Sequence, residues 1–141
     1  MNPLVFIIEG DHHVKKILSV VLEKNDISFI FAPNLSDAEV LFEKNKKQIT
    51  YIALAGNFNH DHLTDKPETL DLARIIANSQ EFKGIIFAMS SVPDHCMILK
   101  EVIGEKCEVL KTDCPASIKF NTIREIIRRI IEDRKKKEGT H

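Results

Sequence analysis

The chain has 141 residues, with 20 basic and 21 acidic side chains and a formal net charge of −1. This length suits one domain with a single core. A nearly neutral chain has no overall field that would attract nucleic acid or an anionic membrane. No apolar run approaches the roughly 18 residues of a membrane span.

The 3 cysteines are odd in number and lack metal-type spacing, which favours free thiols in a reducing compartment. We therefore expect one cytoplasmic domain over residues 1–141 that binds neither a membrane nor, given its charge, nucleic acid.

Apolar runs alternate with amphipathic segments along the whole chain, which is the pattern of repeated βα units. The first run, 4–8, is continuously apolar, as is typical of a parallel strand covered by helices on both faces. Further strands are predicted at 27–32, 49–55 and 85–89, with a short fifth strand at Val109–Leu110. The pattern thus predicts an α/β domain with a parallel sheet.

Helices are predicted between these strands from apolar residues at three- and four-residue spacing. The first covers 13–23, the second begins at the capping pair Ser36 and Glu39, and the third covers 70–76. Ser91, with Pro93 and Asp94 behind it, is expected to cap the fourth helix. The last helix starts near residue 115 and extends to a basic end at 134–137, where cations complement the helix dipole.

Polar residues stand at several strand ends. Glu9 and Gly10 follow the first strand, Ser90 follows the fourth, and Lys111 and Thr112 follow the fifth. With this order of elements, nearly the whole chain resembles the receiver domain of two-component response regulators. The resemblance implies a flavodoxin-like, three-layer α/β/α fold with a five-stranded parallel sheet of order 2-1-3-4-5. It also implies that Glu9 matches the first of two acids, Ser90 the hydroxyl and Lys111 the lysine, whereas Gly10 replaces the second acid and Thr112 the usual proline.

The resemblance fails at the end of the third strand, where the family carries its phosphoryl-accepting aspartate. Ala55, Gly56 and Asn57 are the residues that can align with it, and none is a carboxylate. Phosphoryl transfer to a receiver needs a carboxylate nucleophile, and Mg²⁺ needs hard oxygen ligands. We therefore predict a degenerate receiver that lacks the phosphoacceptor, needs no cofactor and acts through phosphorylation-independent protein–protein interaction.

The polar residues near these strand ends have other candidate roles. Asp11 can pair with Glu9 around a divalent ion if the loop shifts, and Asp61 is a candidate displaced phosphoacceptor in an unconventional phosphorelay. Without a phosphoryl group, Lys111 is expected to form an ion pair with Glu9. Ser90 is expected to be a turn hydroxyl and not a conformational switch.

Histidines follow the same strand ends, which meet at the carboxyl edge of a parallel sheet. Imidazole with carboxylate or thiolate suits Zn²⁺, Ni²⁺ or Cu²⁺, so a transition-metal or small-ligand sensor is the alternative function. The ordinary interpretation, surface histidines in loops and helix starts, competes with it because no metal-type spacing is present. The residues of this candidate site are His12, His13, His60, Asp61, His62 and His95.

The resemblance also implies a binding surface. Receivers dock partners or dimerise through the fourth helix, fifth strand and last helix, which correspond here to about Met97 to Ile130. Because no effector domain follows in this sequence, we expect the response to pass to another molecule. An enzyme is not expected, since the turn at residues 9–12 contains neither a G-x-G-x-x-G motif nor a P-loop.

Overall fold

Five parallel strands form the centre of the computed structural model, which describes residues 2–58 and 65–138. The strands lie in the order β2-β1-β3-β4-β5, and every neighbouring pair is parallel. This confirms the predicted flavodoxin-like sheet. Their bounds are β1 Leu4–Ile8, β2 Ser28–Ala32, β3 Ile49–Leu54, β4 Ile85–Ala88 and β5 Cys107–Glu108.

Helices connect the strands as in repeated βα units. Short 3₁₀ turns at Gly104–Lys106 and Pro115–Ser117 precede β5 and the last helix. Across the described ranges, no helix has both the length and the apolar character that crossing a bilayer would take. The helices are α1 His12–Lys24, α2 Leu35–Asn45, α3 Leu70–Asn78, α4 Pro93–Ile103 and α5 Ile118–Glu138.

The sheet is covered on both faces, which explains why β1 is apolar throughout. Phe6 and Ile8 pack in the layer that contains α2, α3 and α4. Val5 and Ile7 point the opposite way and pack against α1 and α5. All four side chains are fully buried. A strand whose two faces are both buried loses the alternation of apolar and polar residues.

The fifth strand lies two residues earlier than predicted. Cys107 pairs with Ile86 and Glu108 pairs with Phe87, so the prediction of Val109–Leu110 was wrong. The chain leaves a 3₁₀ turn at residue 106 and pairs at once with β4. Pairing with β4 ends at Glu108, and Val109 beyond it is 36% exposed. This places an apolar side chain on the surface beside the carboxyl edge.

Two predicted helix caps were also wrong. The cap of α2 is Asn34, whose Oδ1 accepts a hydrogen bond from the Asp37 N–H at 2.8 Å. Asparagine is as good a cap as serine, and its position lets the helix begin one residue before Ser36. At α4 the cap position is Val92, which has no capping side chain, and the helix begins with Pro93.

Candidate functional site at the carboxyl edge

The residue that follows β1, Glu9, is 1% exposed at the carboxyl edge of the sheet. In open parallel sheets this edge is the usual place for a ligand. The Glu9 Oε2 lies 2.7 Å from the Nζ of Lys119, the second residue of α5. The Glu9 side chain is fully buried and that of Lys119 is 10% exposed. The negative charge of Glu9 is therefore balanced by a cation from the protein itself.

Lys111, the predicted partner of Glu9, does not form this ion pair. Its side chain is exposed, and among residues 2–58 and 65–138 it makes no salt bridge. Lys111 lies away from Glu9 because β5 ends at Glu108 and residues 109 and 110 run past the sheet. Helix α5 packs on the β1 face and carries Lys119 on its buried side. The cation beside Glu9 thus comes from α5 and not from the end of β5.

Gly10 stands at the second acidic position of the receiver pattern, and the structure leaves no room there for a side chain. A β-carbon built at Gly10 would lie 2.1 Å from the carbonyl oxygen of Phe58. The obstacle is backbone, which cannot turn aside as a flexible side chain can. The chain beyond β3 therefore crosses directly over the position where a second acid would project.

Asp11 is committed to the start of α1. Its Oδ1 accepts hydrogen bonds from the N–H groups of His13 at 2.8 Å and Val14 at 3.3 Å. These amides belong to the first turn and lack partners within the helix, so Asp11 is an N-cap. Its own N–H donates to the Glu9 Oε1 at 3.2 Å. This arrangement explains Asp11 without a divalent ion, and the described residues contain no group of three or more potential metal ligands.

The end of β3 is tied to the start of α3. Ala55 and Gly56 are buried, and Thr69 is fully buried against them. The Thr69 Oγ1 lies 2.8 Å from the carbonyl oxygen of Ala55 and 3.2 Å from that of Gly56, which also accepts the Thr69 N–H. The side chain of Asn57 accepts the Glu68 N–H at 2.9 Å. Hydrogen bonds within the protein therefore hold the segment where a receiver would accept a phosphoryl group.

Side chains from the turn after β4 and from the start of α4 fill the space beside Gly56. A β-carbon built at Gly56 would lie 2.8 Å from the Ser90 Oγ and 2.9 Å from the His95 Nδ1. Ser90 accepts a hydrogen bond from the Val92 N–H at 3.1 Å, a contact within the turn that leads into α4. His95 lies in the first turn of α4 and is 1% exposed. A carboxylate at position 56 would have to displace these groups.

The predicted histidine edge is described only in part. His12 and His13 are exposed at the start of α1, whereas His95 is buried beneath the start of α4. The remaining members, His60, Asp61 and His62, lie outside the described residues. The metal site and the displaced acceptor at Asp61 both stay predictions.

Sequence reasoning missed Lys119 and Thr69. Lys119 belongs to the buried face of α5, together with Thr122, Ile123 and Ile126. A lysine at a position that helical spacing assigns to the core is a signal for a buried ion pair, because a buried charge needs a partner. Thr69 carried no comparable signal, since its role depends on where the loop returns to the end of β3.

Comparison with models of protein families finds no match, and no curated protein matches the sequence. Solved structures do match. A response regulator receiver protein from Pseudomonas putida is 16% identical, with a TM-score of 0.62 over 92% of this chain and 98% of the other. A two-component response regulator from Clostridium difficile is 22% identical, with a TM-score of 0.63 over the same shares. A response regulator from Thermotoga maritima is 19% identical, with a TM-score of 0.57 over 94% and 99%.

The chain has the fold of a response regulator receiver domain. At these identities the likeness establishes the fold, and the chemistry depends on the residues at the carboxyl edge. In the described part of that edge, Glu9 and Lys119 are buried and form an ion pair, and the backbone of Phe58 lies against Gly10. Among the described residues at this edge, Glu9 is the buried acid, and the neighbouring Asp11 caps α1.

Proposed function

We propose that this protein is a receiver-like signalling module that binds other proteins and does not accept a phosphoryl group. The observation that carries the proposal is the ion pair between Glu9 and Lys119 at 2.7 Å. It supports the proposal because the ammonium group of Lys119 already balances the charge of the Glu9 carboxylate.

The charge balance at Glu9 argues against Mg²⁺. This ion prefers octahedral coordination by hard oxygen ligands and is usually held by one or two carboxylates together with substrate phosphates. At the described edge Glu9 is paired with an ammonium group, Asp11 caps α1, and Gly10 offers no side chain. A divalent ion would have to displace a buried lysine and would gain a single carboxylate in return.

The end of β3 argues against an acyl phosphate. Neither a methyl group, a hydrogen nor a carboxamide at residues 55–57 can act as the carboxylate nucleophile. The carbonyl groups of Ala55 and Gly56 accept hydrogen bonds from buried Thr69. These bonds hold the backbone at the end of β3 against the start of α3. The module thus has neither the nucleophile nor the charge pattern for phosphoryl transfer at this position.

Protein binding is supported by the surface formed by α4, β5 and α5. Each element contributes a large apolar side chain to solvent: Met97 is 69% exposed, and Val109, just past β5, and Phe120 are each 36% exposed. Met97 and Val109 also line the same cavity, and exposed apolar groups on adjoining elements favour interaction with another protein. We name these three residues the apolar triad.

An ion pair joins α5 to β5 at Glu108, the residue before Val109 of the apolar triad. Both terminal nitrogens of Arg129 lie 2.6 Å from the Glu108 carboxylate, so the guanidinium binds it bidentately and joins α5 to β5. The same guanidinium stacks over Phe87, with 4.9 Å between its central carbon and the ring centroid. This contact gives a partner a preorganised surface, which lowers the ordering cost of binding.

Amide spectra during titration with Mg²⁺ and beryllofluoride test the proposal. Beryllofluoride mimics a phosphoryl group on a carboxylate, so we expect no saturable shift at residues 9–11, 54–57 and 90. Saturable shifts at these amides that need both Mg²⁺ and beryllofluoride would refute the phosphorylation-independent part of the proposal.

A matched pair of variants tests the interaction surface. Met97→Asp places a charge on the apolar triad, and Val40→Asp does the same at a 65% exposed residue of α2, outside that surface. Sedimentation velocity at rising concentration reports homodimers, and co-purification reports other partners. We expect Met97→Asp to lose complexes that the wild type and Val40→Asp both form. Equal behaviour of the two variants would contradict the assignment of the surface.

A further inference from the structure

A cavity of about 280 Å³ lies between α4 and the connection from β5 to α5. Most of its wall is apolar, and the side chains that matter most are Cys96, Met97, Val109, Leu110 and Ile118. Small-molecule sites are typically concave and apolar, with a few polar groups that fix the orientation of the ligand. The cavity has this composition and lies outside the Glu9–Lys119 ion pair.

Lys111 is the one charged side chain among the lining residues, all of which belong to the described ranges. It is exposed, and it forms no ion pair with any other described residue. The wall contains no carboxylate that could neutralise it. A single ammonium group at the rim of an apolar cavity selects a ligand with one negative charge and an apolar body.

The floor of the cavity is neutral. Cys96 is 2% exposed, and its thiol donates to the carbonyl oxygen of Ser90 at 3.3 Å. Burial raises the pKa of this thiol, so it stays protonated at neutral pH. Met97 lies at the mouth and is largely exposed. Methionine adapts its shape to different apolar partners, and the floor and mouth together suit an aliphatic chain.

We infer that this cavity binds a small amphipathic monocarboxylate, with its aliphatic chain against Cys96 and Ile118 and its carboxylate at Lys111. The size of the cavity suits one short chain. The lone cation disfavours polyanions, which would bring charges that nothing in the wall matches. A neutral ligand of the same shape binds more weakly, because it makes no charge-assisted hydrogen bond with Lys111. The cavity shares Met97 and Val109 with the apolar triad, but its test is separate, since the titration below uses neither a phosphodonor nor a protein partner.

Titration with octanoate, followed by amide spectra, tests the inference. We expect saturable shifts confined to residues 96–97 and 109–112. Octanol supplies the same chain without the charge, and we expect it to bind at the same amides roughly tenfold more weakly, a difference of about 1.4 kcal/mol. Acetate supplies the charge without the chain and is expected to give no saturable shift.

Variants separate the two halves of the ligand. Lys111→Gln should lower the affinity for octanoate to that for octanol and leave octanol unchanged, whereas Lys16→Gln, at an exposed lysine of α1, should change neither. Val109→Trp should place an indole ring in the cavity and weaken the binding of both ligands, and cooperative urea unfolding would show that this variant is folded. Octanoate shifts that do not saturate, that fall elsewhere, or that persist at full affinity in Lys111→Gln would each overturn the inference.

Discussion

Lys119 on the buried face of α5 holds the carboxylate of Glu9, at the end of β1, in an ion pair of 2.7 Å. Removing both charges from water is costly, and their attraction offsets that cost only when the geometry is good. The pair joins the carboxyl edge of the sheet to the last helix. It also places a protein cation beside the buried acid that follows β1. We expect the stability of the edge to depend on this contact, and we expect the same contact to oppose Mg²⁺ binding.

The first prediction concerns the loss of one partner. Lys119→Met keeps most of the side-chain volume and leaves the Glu9 charge buried without compensation. We expect the free energy of unfolding to fall by about 3–5 kcal/mol, measured by urea denaturation. Lys16→Met, at an exposed lysine of α1, is the control and should stay within about 0.5 kcal/mol of the wild type.

The double variant Glu9→Leu/Lys119→Met decides whether charge or packing causes that loss. With both charges removed, no ion is left without a partner, so most of the lost stability should return. If Lys119→Met alone fails to fold, a folded double variant leads to the same conclusion. A double variant no more stable than Lys119→Met would show that the ion pair is not the cause.

The second prediction concerns Gly10. Because the backbone of Phe58 lies within 2.1 Å of a built β-carbon, alanine and aspartate at position 10 meet the same obstacle. Gly10→Ala and Gly10→Asp should each lower the free energy of unfolding by about 1–3 kcal/mol or more. If only the aspartate variant is destabilised, charge and not backbone crowding excludes the second acid. Added Mg²⁺ should stabilise neither variant.

The third prediction compares two buried threonines. Thr69 and Thr122 are both fully buried, but only the Thr69 hydroxyl has hydrogen-bond partners within the described part of the chain. Thr69→Val removes the hydroxyl that donates hydrogen bonds to the Ala55 and Gly56 carbonyls. We expect the free energy of unfolding to fall by about 1–3 kcal/mol. Thr122→Val removes an unsatisfied buried hydroxyl and should be neutral or stabilising. Equal losses in the two variants would contradict the tie between β3 and α3.

The fourth prediction concerns acid stability. The hydrogen bond from Arg129 lowers the pKa of Glu108, and hydrogen bonds, first from Arg128 and then from Arg129, lower that of Glu125 to about 2. A carboxyl with a lowered pKa in the folded state binds fewer protons there than in the unfolded chain. Its stabilising effect is therefore complete above the ordinary pKa near 4.5 and is lost as the pH falls toward 2.

Arg129→Met should remove part of this dependence. Because the Glu108 side chain is 38% exposed, solvent screening limits the expected loss at neutral pH to about 1 kcal/mol. The difference from the wild type should shrink as the pH approaches 2, measured from urea midpoints across the range. Arg74→Met breaks the far more exposed pair with Asp71 and should leave the pH profile unchanged. A constant difference at all pH values would exclude a role for these carboxylates.

Local sequence patterns predicted most of the strands and helices, and the family resemblance supplied the strand order. β1 is apolar on both faces, and α1 repeats its buried residues at helical spacing. β5 was misplaced because only two residues pair, and a strand this short carries no period that distinguishes Cys107–Glu108 from the residues that follow.

Most residues of the carboxyl edge could be listed from the sequence, but their contacts could not. The lack of a carboxylate at residues 55–57 can be read directly from the chain. The partner of Glu9 cannot, because it depends on how α5 lies over β1, and the family pattern pointed to Lys111. Likewise, Gly10 is explained only by the backbone of Phe58, which is distant in sequence.

Intact-protein mass spectrometry after incubation with acetyl phosphate and Mg²⁺ tests the central claim most directly. The account predicts an unchanged mass, because the end of β3 has no carboxylate nucleophile and Glu9 is paired with Lys119. A stoichiometric, hydroxylamine-labile phosphoryl adduct on an aspartate, Asp61 included, would contradict it.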